Sequence, residues 1–207
     1  MRDEITRRLV HASGTAVPLS YLLVDAVAWW HVQALLLVGL VVGVVLEAIR
    51  LVVGLDWWIY EKLTREYEQD NPAGYVLAVV GMAVVVVVFP PTTETLLPGL
   101  APSPVAVPAL FMLTIADPVS GLLGSGTLDG VKQTWVLLAT FGVATLLAVP
   151  FVPSLAAIAG GVATTVADGV KPVVRGYVVD DNLSIPVAAA VAMYVAVEFL
   201  PALPSLV

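Results

Sequence analysis

Residues 32–53 read VQALLLVGLVVGVVLEAIRLVV, with no charge before Glu47 and Arg50. About 20 such residues carry a helix across a hydrocarbon core, so this run reads as a membrane span. Six more apolar stretches flank it, at residues 14–30, 74–88 or 89, 105–123, 135–152, 154–170 and 185–203. The first is interrupted by Pro18, and Trp29, Trp30 and His31 at its end suit a headgroup zone, where aromatic rings are enriched. Val84 to Val88 reads as a lipid-facing stretch of low complexity, and Ala159, Gly160, Gly161, Ala163 and Thr164 as a surface for close helix packing.

The 9 Lys and Arg residues sort by side. Arg2, Arg7 and Arg8 precede the first run. Arg50, Lys62 and Arg65 follow the second, Lys132 the fourth, and Lys171 and Arg175 the sixth. The turns after the first, third and fifth runs carry none. The positive-inside rule then predicts an all-α, polytopic membrane bundle of about seven transmembrane helices with a cytoplasmic N-terminus. Arg7 and Arg8 followed by residues 16–28 also loosely resemble a cleavable signal peptide, against which stand Pro18, Asp3, Glu4 and Asp25.

Composition agrees. The 207 residues are 59% hydrophobic and 12% charged, whereas soluble domains carry about 25% charged residues. Seven spans use about 140 residues, so residues 1–207 read as one transmembrane domain. Residues 56–71, between the second and third runs, are predicted as a cytoplasmic amphipathic helix. Its Trp57, Trp58, Tyr60, Leu63 and Tyr67 would rest on the bilayer while Glu61, Glu66, Glu68 and Asp70 face water. A net charge of −7 argues against nucleic acid as a partner, and the absence of cysteine excludes thiolate chemistry.

The chemistry-bearing residues gather near the predicted inner ends: Glu47, Asp117, Asp168, Asp180, Asp181 and Asn182. Ionisable groups beside membrane helices are costly and tend to mark function. Each also has an ordinary reading: Glu47 and Arg50 as a helix-end ion pair, Asp180 to Asn182 as a solvated cap on the last helix. Asp117-Pro118 is expected to break or end the fourth span, with Gly121, Gly124, Gly126 and Gly130 exposing backbone beyond it. Carboxylates, glycine-rich backbone and nearby cations together suit Mg²⁺ and a phosphate-bearing substrate. No Walker pattern is present.

The segments Arg7-Arg8-Leu9-Val10-His11 with Gly14, Glu47 with Arg50, Asp117-Pro-Val-Ser120-Gly121-Leu-Leu-Gly124, Lys132-Gln-Thr134-Trp135 and Val179-Asp180-Asp181-Asn182-Leu-Ser-Ile-Pro186 follow one another along the chain. In that order they resemble the membrane-embedded dolichol kinase and phytol kinase family, CTP-using polyprenol kinases allied to phosphatidate cytidylyltransferases. The resemblance implies phosphoryl transfer from CTP or ATP to an isoprenoid alcohol, with Mg²⁺, among membrane lipids, on the cytoplasmic side of the cell membrane. A homodimer is one assembly open to it. Asp117 and Asp181 would hold metal. Ser120, Gly121, Gly124, Gly126, Lys132, Thr134 and Lys171 would join Asp117 around the nucleotide. Glu47, Arg50, Asp168, Asp180, Asp181 and Asn182 would serve catalysis, with His11 as a proton acceptor or merely a helix-start histidine facing the headgroups. A lipid cytidylyltransferase is the rival enzyme, and a transporter or scaffold lined by the broken fourth helix the rival outside enzymes.

Overall fold

The computed structural model describes residues 2–54, 57, 60, 64, 68–69, 71–97, 99–124, 132–170, 173–174 and 177–200, with backbone alone for 2–6 and for 173–174 and 177–178. The architecture is helical. A short α1 (Arg2–Ser13) and α2 (Ala16–Leu23) lead into α3 (Trp29–Ala48), which a π-helical turn (Ile49–Val53) prolongs. Then come α4 (Gly74–Val88), α5 (Ala106–Leu123, with a π-helical turn at Met112–Ala116), α6 (Thr134–Ala148), α7 (Ser154–Gly169) and α8 (Asp181–Phe199). Between α7 and α8 lies a two-residue antiparallel ladder, with Val173 opposite Val178.

Among the described residues, three helices are long and apolar enough to cross a membrane: Trp29–Val53, Ala106–Leu123 and Asp181–Phe199. The apolar α4 and α6 are shorter, at 15 residues each. Helix α8 packs on α7 and α4, α7 on α6, and α3 on α4. Leu110, Met112 and Leu113 of α5 and Ile185 and Met193 of α8 are fully buried, so α5 and α8 supply the centre of the core. The outer face of α3 stays apolar, with Leu35, Val38, Val41, Val42, Val44 and Val45 all exposed. An apolar surface that continuous marks contact with a membrane or another protein.

Glycines set the closest approaches. A Cβ on Gly160 would stand 2.7 Å from Met193 Cγ of α8, and one on Gly161 would overlap Thr145 of α6. Helix α7 thus presents one bare backbone face to each neighbour. Gly81 of α4 does the same at the Pro186 notch of α8, where a Cβ would meet Pro186 Cγ at 2.9 Å and the Asn182 carbonyl at 3.1 Å.

Several sequence expectations are corrected. Residues 14–30 are not one helix: α2 stops at Leu23, and Trp29 and Trp30 begin α3. Trp29 is fully buried, not at a headgroup surface. Its indole packs edge-on against Tyr21 and donates to the Val86 carbonyl at 3.0 Å. Of Val84 to Val88, Val85 and Val86 lie in the core while Val84 and Val88 face out. Asp117-Pro118 does not end the fourth span, because the π-helical turn just before it makes room for the proline ring and helix runs on to Leu123. The last helix begins at Asp181 instead of residue 185. Most of the expected 56–71 helix lies outside the described residues. Tyr60 and Glu68, which are described, are buried, Tyr60 donating to the Leu46 carbonyl at 3.2 Å, so neither faces bilayer or water as expected.

Gln33 shows how this interior satisfies its polar groups. The Val86 carbonyl would be served four residues on by Pro90, which has no N–H. Trp29 Nε1 and Gln33 Nε2 donate to it instead, each at 3.0 Å, and Gln33 Oε1 accepts from Leu96 N at 2.8 Å. Gln33→Leu removes its bonds to the Val86 carbonyl and the Leu96 amide and should lower stability by roughly 1–3 kcal/mol, about 0.5–1.5 for each bond. Unfolding of the purified protein in detergent measures this, and an unchanged midpoint would refute it.

Candidate functional site

The C-terminal parts of α5 and α7 and the N-terminus of α8 meet at one end of the bundle. Asp117 directly follows the π-helical turn of α5, Asp168 is the penultimate residue of α7, and Asp181 is the first of α8. One carboxylate oxygen from each lies within 4.8 Å of the other two. Asp168 and Asp181 are buried and Asp117 is partly so.

Neighbouring groups bond this cluster directly. Ser120, one turn beyond Asp117, donates to Asp168 Oδ2 at 2.5 Å. Lys132 Nζ, just before α6, reaches Asp168 Oδ1 at 2.5 Å and Ser120 Oγ at 3.0 Å. Asp180 caps α8 by accepting from Asn182 N at 2.9 Å and Asn182 Nδ2 at 2.6 Å. The capping reading of Asp180 therefore holds, but the solvated one does not, since Asp180, Asp181 and Asn182 are all buried. The positive end of the α8 dipole favours carboxylates there.

Lys132 brings one positive charge directly to this group, at Asp168. Two unit charges 4.8 Å apart repel by about 3 kcal/mol at an effective dielectric constant of ~20. One carboxylate oxygen from each of three helices could be offered to a metal ion. Asp168 thus joins Asp117 and Asp181 as a candidate metal ligand, a role the sequence did not assign to it.

Helix α1 borders the cluster. His11 Nε2 lies 2.8 Å from the Leu113 carbonyl and 3.7 Å from Asp117 Oδ2. A carbonyl can only accept, so in this contact Nε2 carries the hydrogen, and proton acceptance by His11 would fall to Nδ1. Arg8, one turn earlier, rests its guanidinium on Gly121, where any Cβ would collide with it. Gly121 thus serves side-chain packing. Arg8 was quoted within the segment Arg7 to His11 but given no role at the site.

Glu47 and Arg50 form a network of their own. Glu47 accepts from Arg50 Nε at 3.1 Å and Nη2 at 2.5 Å, from Ala73 N at 2.7 Å and from Tyr75 Oη at 2.6 Å. Arg50 also donates to the carbonyls of Glu68, Gln69 and Asn71 at 3.0, 3.1 and 2.6 Å. This pair clamps the approach to α4. It adjoins the cluster through Gly74, whose absent side chain leaves room for Asn182 Nδ2 and Glu68 Oε1, at 2.7 and 3.4 Å from a Cβ placed there. Tyr75 and Glu68 carried no sequence signal for this placement.

The structure therefore brings together Asp117, Ser120, Lys132, Asp168 and Asp181, with Asp180 and Asn182 shaping the start of α8. Gly124 ends α5, its N–H bonded to the Ser120 carbonyl at 2.9 Å. Thr134 opens α6 with an exposed side chain. Gly126, Gly130, Lys171 and Arg175 lie outside the described residues. Compared with models of known families, with curated proteins and with solved structures, the chain matches none.

Lys132→Met removes the cation from a buried carboxylate. The stability loss should be roughly 1–3 kcal/mol, below the ~3–5 of a wholly buried pair because Lys132 is partly exposed. Detergent unfolding in EDTA reads it directly, and a wild-type midpoint would exclude the interaction as a stabilising one.

Proposed function

We propose that this chain is a multi-pass membrane lipid kinase, transferring the γ-phosphoryl group of a nucleoside triphosphate, CTP first among them, to the hydroxyl of an isoprenoid alcohol. The observation that carries the reading is the convergence of Asp117, Asp168 and Asp181, with Lys132 beside them, at one end of an apolar helical bundle. Phosphoryl transfer asks a protein mainly for positioning and charge stabilisation, which is what such a donor set provides. The family resemblance of the motifs supports the acceptor class and the nucleotide.

In this reading α2 with the link to Trp29 makes the first crossing and α3 to α8 the next six. The N-terminus and the carboxylate cluster then share the cytoplasmic side, as the distribution of Lys and Arg requires. Asp117, Asp168 and Asp181 would hold Mg²⁺, which when bound neutralises phosphate oxygens. Lys132 offsets charge on the phosphates while holding Asp168 and Ser120 in place. The Asp180 cap fixes Asn182 beside Asp181, where its amide is positioned to orient the lipid hydroxyl. Apolar surfaces of the bundle receive the isoprenoid tail and keep water from the transferring group. The glycine-rich turn from Gly121 to Gly130, with Thr134 and Lys171 by the resemblance, completes the nucleotide side.

Purified protein incubated with Mg²⁺, labelled CTP or ATP and a panel of lipid alcohols should phosphorylate a polyprenol and release a nucleoside diphosphate. Asp117→Ala and Asp181→Ala should each abolish this product while their unfolding midpoints stay near wild type. Turnover retained in both variants removes the site assignment. Pyrophosphate release with a lipid phosphate as acceptor would instead identify cytidylyl transfer at the same carboxylates.

A further inference from the structure

Helix α5 keeps its course past Pro118 by changing hydrogen-bond register. Asp117 N–H bonds the Met112 carbonyl, five residues back instead of four. In that register the next donor would be the N–H of residue 118, aimed at the Leu113 carbonyl; in the ordinary α register it would serve Thr114. Proline has no N–H and can serve neither. Leu113 and Thr114 are almost wholly inaccessible to solvent, and a buried carbonyl without a donor is costly.

The Leu113 oxygen and its neighbour at Thr114 are both met from the corner between α1 and α2. His11 Nε2 is 2.8 Å from the Leu113 oxygen, and Thr15 Oγ1 donates to the Thr114 oxygen at 3.4 Å. Gly14 lets that corner approach, since a Cβ there would stand 3.0 Å from Thr114 Cγ2. The same solution operates at Val86, whose carbonyl lost its donor to Pro90 and is met by Trp29 and Gln33.

We infer that His11 is a positioning residue: it supplies the hydrogen Pro118 lacks, and so holds the turn of α5 that presents Asp117 to Asp168 and Asp181. Its work is done by an N–H, not by a basic nitrogen. A side-chain amide of similar reach can replace it, and restoring a backbone N–H at position 118 makes it largely dispensable. The inference rests on the metal-site reading only where Asp117 is asked to bind a cation; the carbonyl substitution itself stands apart from it.

The test uses full-length protein in detergent and four variants: His11→Ala, His11→Gln, Pro118→Ala and the double His11→Ala/Pro118→Ala. Thermal unfolding is one readout, and binding of Mn²⁺ alone, followed by electron paramagnetic resonance, is the other. His11→Ala should lower the midpoint and weaken Mn²⁺ binding about tenfold or more, the scale seen when a group supporting a metal ligand is lost. His11→Gln should stay near wild type on both readouts. In the Pro118→Ala background, His11→Ala should cost far less than in the wild type. The inference is overturned if His11→Gln is as damaged as His11→Ala, or if the cost of His11→Ala is the same in both backgrounds. If His11→Ala does not fold alone, recovery of folding in the double variant supports the inference and continued failure overturns it. A wild type that binds no Mn²⁺ removes the metal reading, and the coupling in unfolding midpoints then decides the inference by itself.

Discussion

A backbone carbonyl that loses its donor inside an apolar bundle has no water to turn to, and much of this structure follows from that. Pro90 and Pro118 each delete one N–H. The carbonyls left behind, at Val86 and at Leu113, sit where nothing but another part of the chain can reach them. Each is met by side chains distant in sequence: Trp29 and Gln33 in one case, His11 in the other, with Thr15 donating to the neighbouring Thr114 carbonyl. These bonds tie the first third of the chain to α4 and α5 at opposite ends of the bundle. They also explain a tryptophan, a glutamine and a histidine in surroundings otherwise filled by Val, Ala and Leu.

The second organising fact is direction. Helices α3, α5 and α7 end where α4, α6 and α8 begin, so every other chain terminus points the same way. Polar residues that are harmless one at a time are gathered there into two adjoining groups. One is the carboxylate cluster of Asp117, Asp168 and Asp181, with Ser120 and Lys132. The other is the Glu47–Arg50 clamp, which fastens the segment before α4 and spends its hydrogen bonds on the backbone there. The contact of Gly74 with Asn182 and Glu68 joins them.

The helical, apolar character of the chain was legible because an apolar run of sufficient length admits few other readings, and three helices among the described residues are long enough to cross a membrane. Residues 74–88 agree with α4 at both ends, since Asn71 and Pro72 precede the run and Pro90 follows it. Residues 14–30 misled because hydropathy registers a tryptophan at the end of a run but not which helix it opens. Glu68 misled for a related reason: a glutamate in a charge-rich stretch reads as solvated, whereas this one is buried at the clamp. At Asp117-Pro118 the local rule is that proline breaks helices. It failed because the compensating donors come from about a hundred residues away.

By itself the sequence determined an apolar, helix-forming chain whose acidic and basic residues recur near the ends of successive runs. Periodicity and composition are local properties, and they suffice for that. Which carboxylates share a compartment was decided only by tertiary structure. Glu47, as acidic and as near a helix end as Asp168, was drawn into the clamp by Arg50, Tyr75 and the Ala73 amide. Asp168, with Lys132 and Ser120 as its partners, joined Asp117 and Asp181. That division depends on which donors the packing brings within reach, and distance between helices is not written in any one of them.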